Sequence, residues 1–236
     1  MKGLIVAAGE SSRLYPRTLE KPKCLLEVGG ELIIERSLRL LEENGVDDVC
    51  VVVGYLDEMI RDQLKDRVSY VANPFYEITN NMASMWMGME EFEDEGFVYM
   101  HSDLVFEAPI IEKFMEETEG EPSGLAVDFD SNHAEAMKVR TRGGQFVESS
   151  KEIPAADTAG EWIGLAYFNP KTANKLNRTI ERQLLDGEHN WQNYDTSAFT
   201  ELAGAGVQFA LPATGGGAWK EIDTEEDYNE ARELFS

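Results

Sequence analysis

The sequence predicts an α/β protein built around a largely parallel sheet. Three observations lead there. Short apolar runs alternate with helical apolar patterns through the first half of the chain. Small residues or an aspartate follow the ends of those runs, where open α/β sheets place their ligands. The chain's 236 residues suffice for a full core without covalent staples.

Each element rests on a local pattern. Residues 4–8 form a short apolar run that reads as a buried first strand, and they lack the flanks of a secretion signal. Across 31–44, Ile34, Leu38 and Leu41 recur at helical spacing, and Gly45 stands where a C-terminal cap belongs. A β-branched strand at 49–53 stops at Gly54, and Asp57 is expected to cap a short helix over Met59, Ile60 and Leu64. Residues 68–72 and 97–101 read as the third and fourth strands, the latter running into Ser102 and Asp103. Pro109 opens a helix at a position that tolerates it.

The second half is less regular. Strands are expected at 125–128, 137–139, 163–168 and 207–211, with a hairpin turn at Arg142-Gly143-Gly144 leading into 145–147. Pro170 starts a long helix, and Thr224 with Asp227 makes a capping pair for the last one. Met82, Met85, Trp86, Met89 and Phe92 fall at helical spacing, a stripe that packing explains for Met85, Met89 and Phe92. One domain covering 1–236 is expected, since repeats and linkers are absent from the pattern.

Composition narrows the partners. Forty-five acidic residues against 21 basic ones give a formal charge of −24, which argues against nucleic acid. An anionic ligand must therefore meet a local basic patch or a metal inside a repelling field. Such an acidic excess also suits a salt-adapted surface. No apolar run reaches the roughly 18 residues of a membrane span. Cys24 and Cys50 offer neither a disulfide framework nor a metal spacing, so a reducing, cytoplasmic setting is expected.

The chemistry concentrates after the first strand. In Ala7-Ala8-Gly9-Glu10-Ser11-Ser12-Arg13, small residues let the backbone approach a ligand, N–H groups can cradle phosphates, and Arg13 can pair with them. Pro22-Lys23 supplies a second cation on a stiffened backbone. The loop matches neither the P-loop nor the dinucleotide fingerprint. Two further carboxylates, Asp103 and Asp223, lie about 120 residues apart, and could share a metal if both strands end at one cleft. Glu221 faces the same way as Asp223 on an extended strand and is a weaker third candidate. Neither His133 nor His189 has a zinc spacing, and both are read, with His101, as structural.

Together with Thr18, Leu25 and Gly29, these residues resemble the signature of the sugar-phosphate nucleotidyltransferase superfamily, with Glu10-Ser11 replacing a more glycine-rich turn. Gly45, Asp48 and the stretch 51–55 continue the pattern, as do His101-Ser102-Asp103 and Trp219-Lys220-Glu221-Ile222-Asp223-Thr224. The resemblance implies a Rossmann-like mixed, mostly parallel sheet flanked by helices, of the nucleotide-diphospho-sugar transferase type. It implies that Arg13 and Lys23 neutralise the triphosphate and that Asp103 and Asp223 hold Mg2+.

Three segments are similar to the branch of cytidylyltransferases for phosphocholine, inositol phosphate and phosphonates: Asn73 to Tyr76 with Asn80 to Trp86, Ala136 to Val139, and Ser150 to Ile153 followed by Gly160 to Gly164. That branch implies transfer of CMP from CTP to a small phosphorylated or phosphonate acceptor, with loss of pyrophosphate. It places Tyr76, Asn80, Asn81 and Ser84 near the nucleobase, although both asparagines serve equally well as helix caps. It places Lys138 and Lys151 at the acceptor, Lys151 matching a lysine that contacts the acceptor phosphate. Trp162, Trp191 and Tyr194 with Glu161 and Asp195 would suit an ammonium group, or else be ordinary core aromatics beside surface acids. Two alternatives stay open: a sugar-1-phosphate uridylyl-, thymidylyl- or guanylyltransferase, and a catalytically silent nucleotide-binding homologue. A homodimer is left open too.

Overall fold

A computed structural model describes residues 1–92, 94–118, 122–131, 135–186 and 190–236. The elements run β1 (Lys2–Ala7), β2 (Glu27–Val28), β3 (Glu31–Leu32), α1 (Ile33–Glu43), β4 (Asp48–Val53), α2 (Asp57–Leu64), β5 (Ser69–Ala72), α3 (Asn81–Met89), β6 (Phe97–His101) and β7 (Leu104–Phe106). They continue with α4 (Ala108–Thr118), β8 (Ser123–Asp128), β9 (Lys138–Arg142), β10 (Gln145–Ser150), β11 (Gly160–Phe168), α5 (Pro170–Leu185), α6 (Thr196–Gly204), β12 (Phe209–Ala210), β13 (Trp219–Glu221) and α7 (Glu225–Leu234).

The central sheet runs β10-β9-β11-β6-β1-β4-β5, with β8 and β12 attached through β11. Strands β6, β1, β4 and β5 are parallel, as the alternation of the first half predicts. Beyond β6 the sheet changes character: β11 pairs antiparallel with β6, β8 and β9. The irregular second half is thus the antiparallel part of a mixed sheet.

Successive strand residues point to opposite faces, so each face gathers its own helices. Leu4, Cys50, Val52 and Tyr99 bury against Met82 and Met85 of α3, Leu176 and Ile180 of α5 and Phe199 of α6. Ile5, Val51, Val53 and Met100 bury against Leu38 and Leu41 of α1, Ile60 of α2 and Phe114 of α4. The methionine stripe is core, with Met85, Met89 and Phe92 all buried.

Some local expectations need correction. Asp57 does not cap α2; it is the first helical residue, and its carboxylate pairs with Arg61 at 2.9 Å. The strand expected at 207–211 contracts to β12, which pairs only with β8. By contrast, Asn169 caps α5 through Thr172 N at 2.8 Å, a cap the sequence reading missed although Asn before Pro170 signals it. The hairpin turn lies at Gly143 and Gly144, both at positive φ. Cys24 and Cys50 are free and buried. Among the described residues, no helix is long and apolar enough to cross a membrane.

Candidate active site

An open cleft of about 340 Å³ lies at the carboxyl ends of β1 and β6, where the parallel half of the sheet delivers its loops. Residues 7–13 leave β1 and turn back sharply. Ser11 sits in the left-handed region at φ 54°, and its carbonyl accepts from the buried Thr18 hydroxyl at 2.9 Å. The Ala8 carbonyl accepts from Tyr55 N at 3.0 Å. Gly54 allows that approach, since a Cβ there would lie 2.7 Å from the same carbonyl oxygen.

Strand β7 pairs antiparallel with β13, setting Leu104 opposite Glu221. That register brings Asp103 and Asp223 together despite their separation in sequence; the Asp103 carbonyl accepts from Ile222 N at 3.1 Å. The α7 capping box then holds Asp223 in place, since Asp227 Oδ2 accepts from Asp223 N at 3.2 Å as well as from Thr224 N at 2.8 Å.

Lys23 Nζ lies between the two carboxylates, 2.7 Å from Asp103 Oδ2 and 3.0 Å from Asp223 Oδ1. Arg13 reaches the other oxygen of Asp223 at 2.8 Å. Burial opposes the Lys23 charge, but Asp103 and Asp223 outweigh it and hold the ammonium above its ordinary range. For Asp103, burial favours the neutral acid, and Lys23 outweighs that to hold the carboxyl below its usual range. Both groups are therefore charged at neutral pH. Asp103 Oδ1 is buried with no hydrogen-bond partner. An orphaned oxygen beside a second converging carboxylate fits the one or two protein ligands that Mg2+ takes when it also binds phosphates.

Tyr76, Asn80, Asn81 and Ser84 line the same cleft. Asn80 caps α3 by accepting from Asn81 N at 2.8 Å, so the capping role is real for that residue. Ser84 is tied to Asn73 Nδ2 at 2.9 Å.

The expected acceptor residues divide. Lys151 and Tyr194 line the cleft with Trp162, and the Lys151 ammonium sits 5.6 Å from the centre of the Tyr194 ring. Lys138, Glu161, Trp191 and Asp195 lie outside the cleft lining, as does Glu10, which accepts from the Tyr15 hydroxyl. Lys138 is buried and donates to the Lys151 carbonyl at 2.7 Å, so it supports the loop behind Lys151. Glu161 is buried and accepts from Ser131 Oγ. Trp191 packs against the core and lends its carbonyl to Asn80 N at 2.8 Å. Asp195 is fully buried: it caps α6 and accepts from Tyr99 Oη at 2.7 Å. Glu221, beside His101, lines the cleft where Glu161 and Asp195 do not.

His101 is the residue the sequence reading undervalued. It lines the cleft, with Nε2 3.0 Å from Asp195 Oδ2 and 3.3 Å from Asn81 Nδ2, and Nδ1 3.8 Å from Glu221 Oε1. Burial works against its charged form, and the carboxylates of Asp195 and Glu221 outweigh that, raising its pKa well above the ordinary value. Gly164, at φ 88°, leaves room for the ring; a Cβ there would lie 3.1 Å from Nδ1. A histidine two residues before a candidate metal ligand was the available signal. His133 and His189 lie outside the described residues.

The chain is similar to several known proteins. The MobA-like NTP transferase domain matches residues 3–182. A CTP:phosphoglutamine cytidylyltransferase of Campylobacter jejuni is 24% identical, over 96% of this chain and 97% of that protein. The choline-phosphate cytidylyltransferase of Streptococcus pneumoniae is 25% identical, over 100% of this chain and 98% of its own. A solved structure of the CTP:phosphocholine cytidylyltransferase from Streptococcus pneumoniae superposes with a TM-score of 0.80 at 25% identity, covering 100% of this chain and 99% of that one.

Proposed function

Since the chain belongs to the MobA-like NTP transferase family and is a nucleotidyltransferase, we propose that it transfers CMP from CTP to a small phosphorylated or phosphonate acceptor and releases pyrophosphate. The observation that carries this reading is the charge cluster in the cleft, where Arg13 and Lys23 meet Asp103 and Asp223 beside the loop 7–13.

The residues divide the work as follows. N–H groups of the loop and the Arg13 guanidinium bind the triphosphate. Lys23, kept protonated by its two carboxylates, neutralises charge as it develops on the phosphates. An acceptor phosphoryl oxygen attacks the α-phosphorus in line; the new P–O bond forms as the bond to the β-phosphate's bridging oxygen breaks, and pyrophosphate leaves with that oxygen. The second pKa of a phosphate monoester is about 6, so the nucleophile is already ionised and needs no general base. Catalysis is positioning and charge neutralisation. Mg2+, held by Asp103 and Asp223, would supply Lewis-acid neutralisation of the phosphate oxygens. Tyr76, Asn80, Asn81 and Ser84 face the nucleobase, while Lys151 and Tyr194 face the acceptor.

The exposed ring of Tyr194 in the cleft favours an acceptor carrying an ammonium group. A phosphorus NMR screen tests the assignment: CTP, UTP, dTTP and GTP against choline phosphate, aminoethylphosphonate, polyol phosphates and hexose 1-phosphates. CTP with an amine-bearing acceptor is expected to give the new diphosphate resonance and free pyrophosphate. Turnover confined to UTP or dTTP with a hexose 1-phosphate would replace this assignment with a sugar-nucleotide one. Nucleotide binding without pyrophosphate release in any combination would leave a binding protein.

A further inference from the structure

His101, Asp103 and Glu221 each offer one ligand atom within 4.8 Å of the others, and among the described residues no other group of three or more does so. The set differs from the Asp103–Asp223 pair in containing nitrogen. Two further observations point to a cation. The first is the partner behind His101. Metal-bound histidines almost always pair their second ring nitrogen with a carboxylate or carbonyl, which fixes the ring and raises its basicity. Here the fully buried Asp195 accepts at Nε2, 3.0 Å away, and is itself anchored by Tyr99 Oη at 2.7 Å and by Thr196 N at 2.8 Å. That arrangement leaves Nδ1 on the side of Glu221, whose Oε1 is 3.8 Å away. The second is Asp103, whose Oδ2 is taken by Lys23 while Oδ1 is buried without a hydrogen-bond partner.

The His101 nitrogen and the Glu221 carboxylate are spaced for a shared cation. Nδ1 and Glu221 Oε1 are 3.8 Å apart, longer than a hydrogen bond of about 3 Å. Two ligands each about 2.1 Å from one cation lie roughly 3.4 Å apart at a tetrahedral angle and about 4.2 Å apart when opposed. Imidazole with carboxylates suits a borderline cation better than Mg2+, which prefers oxygen alone.

We propose that His101, Asp103 and Glu221 form a second divalent-cation site, with a nitrogen ligand, for a metal that accepts imidazole beside carboxylates, such as Zn2+ or, more weakly, Mn2+, and that Asp195 is its positioning residue. Asp103 is common to this set and to the Asp103–Asp223 pair.

The test uses the whole chain and Mn2+ alone, without nucleotide or acceptor, so its outcome is independent of which transfer the enzyme performs. Electron paramagnetic resonance counts bound Mn2+, and electron spin-echo modulation reports whether a nitrogen is coordinated. Wild-type protein is expected to bind Mn2+ with imidazole nitrogen modulation. His101→Gln should lose the modulation, Asp223→Asn should keep it, and Asp195→Asn should weaken Mn2+ binding by about 10–100-fold. Circular dichroism checks that each variant is folded, and the wild-type modulation needs no variant at all. Absence of Mn2+ binding, bound Mn2+ without nitrogen modulation, or modulation that survives His101→Gln would each overturn the proposal.

Discussion

The residues assigned to the triphosphate come from one stretch of chain, 7–13 with Lys23 shortly after, whereas those facing the acceptor arrive from separate elements: Lys151 after β10, Trp162 on β11 and Tyr194 before α6. The triphosphate side sits on the parallel half of the sheet, where a loop must leave each strand at its carboxyl end. On the proposed reading its ligands are mostly backbone N–H groups and two cations, and triphosphates differ little in what they ask of them. The acceptor side sits on the antiparallel half, where side chains are aimed by packing. On the proposed assignment, the triphosphate and the acceptor are thus met by different halves of one sheet.

The largest test of this division lies at the seam, Asp103. Replacing it with Asn keeps the shape and removes the charge that pairs with Lys23 at 2.7 Å. Loss of one preorganised charged group of this kind costs on the order of 10³-fold in kcat. Because the proposed function has Asp103 serve the transferred phosphoryl group rather than one acceptor, the loss should be equal for every acceptor tried. Steady-state pyrophosphate release checks this; substantial activity, or loss with one acceptor only, would remove Asp103 from the shared chemistry.

A smaller effect is expected on the other half. Tyr194 is 41% exposed, and its ring lies beside the Lys151 ammonium. Tyr194→Ala removes an aromatic face worth about 1–2 kcal/mol to a bound cation, so the acceptor KM should rise about 5–30-fold while the triphosphate KM stays fixed. Equal shifts in both constants would mean that the two halves are not separable at this residue.

The same division explains what could be read in advance. Residues 7–13, Pro22-Lys23 and the strands behind them were legible because their spacing is local and their residue types are dictated by the backbone. The pairing of Asp103 with Asp223 was legible only through the resemblance, since it depends on the β7–β13 register. Asp195 was misread by proximity: Tyr194 is exposed, yet its neighbour caps α6 and turns into the core toward Tyr99, 96 positions earlier. Lys138 and Glu161 look like ligands by charge, but they occupy facing positions on β9 and β11 behind the cleft. A buried ion's use depends on the groups around it, and those come from distant parts of the chain.

The smallest effect probes how the seam is held. Thr224 and Asp227 form a reciprocal capping box at α7, and Asp227 also takes Asp223 N, so one helix terminus fixes the backbone of a candidate metal ligand. Thr224→Ala deletes the hydroxyl that donates to Asp227 Oδ2 at 2.7 Å and accepts from Asp227 N at 3.2 Å. Loss of such a cap costs about 1 kcal/mol, which for a chain of this size lowers Tm by roughly 2–4 °C. Because Asp223 keeps its own ion pairs with Arg13 and Lys23, it should hold its place and kcat should fall less than about threefold. Thermal unfolding beside steady-state kinetics separates the outcomes. A collapse of kcat at unchanged Tm would mean that the capping box, and not the ion pairs, sets the position of Asp223.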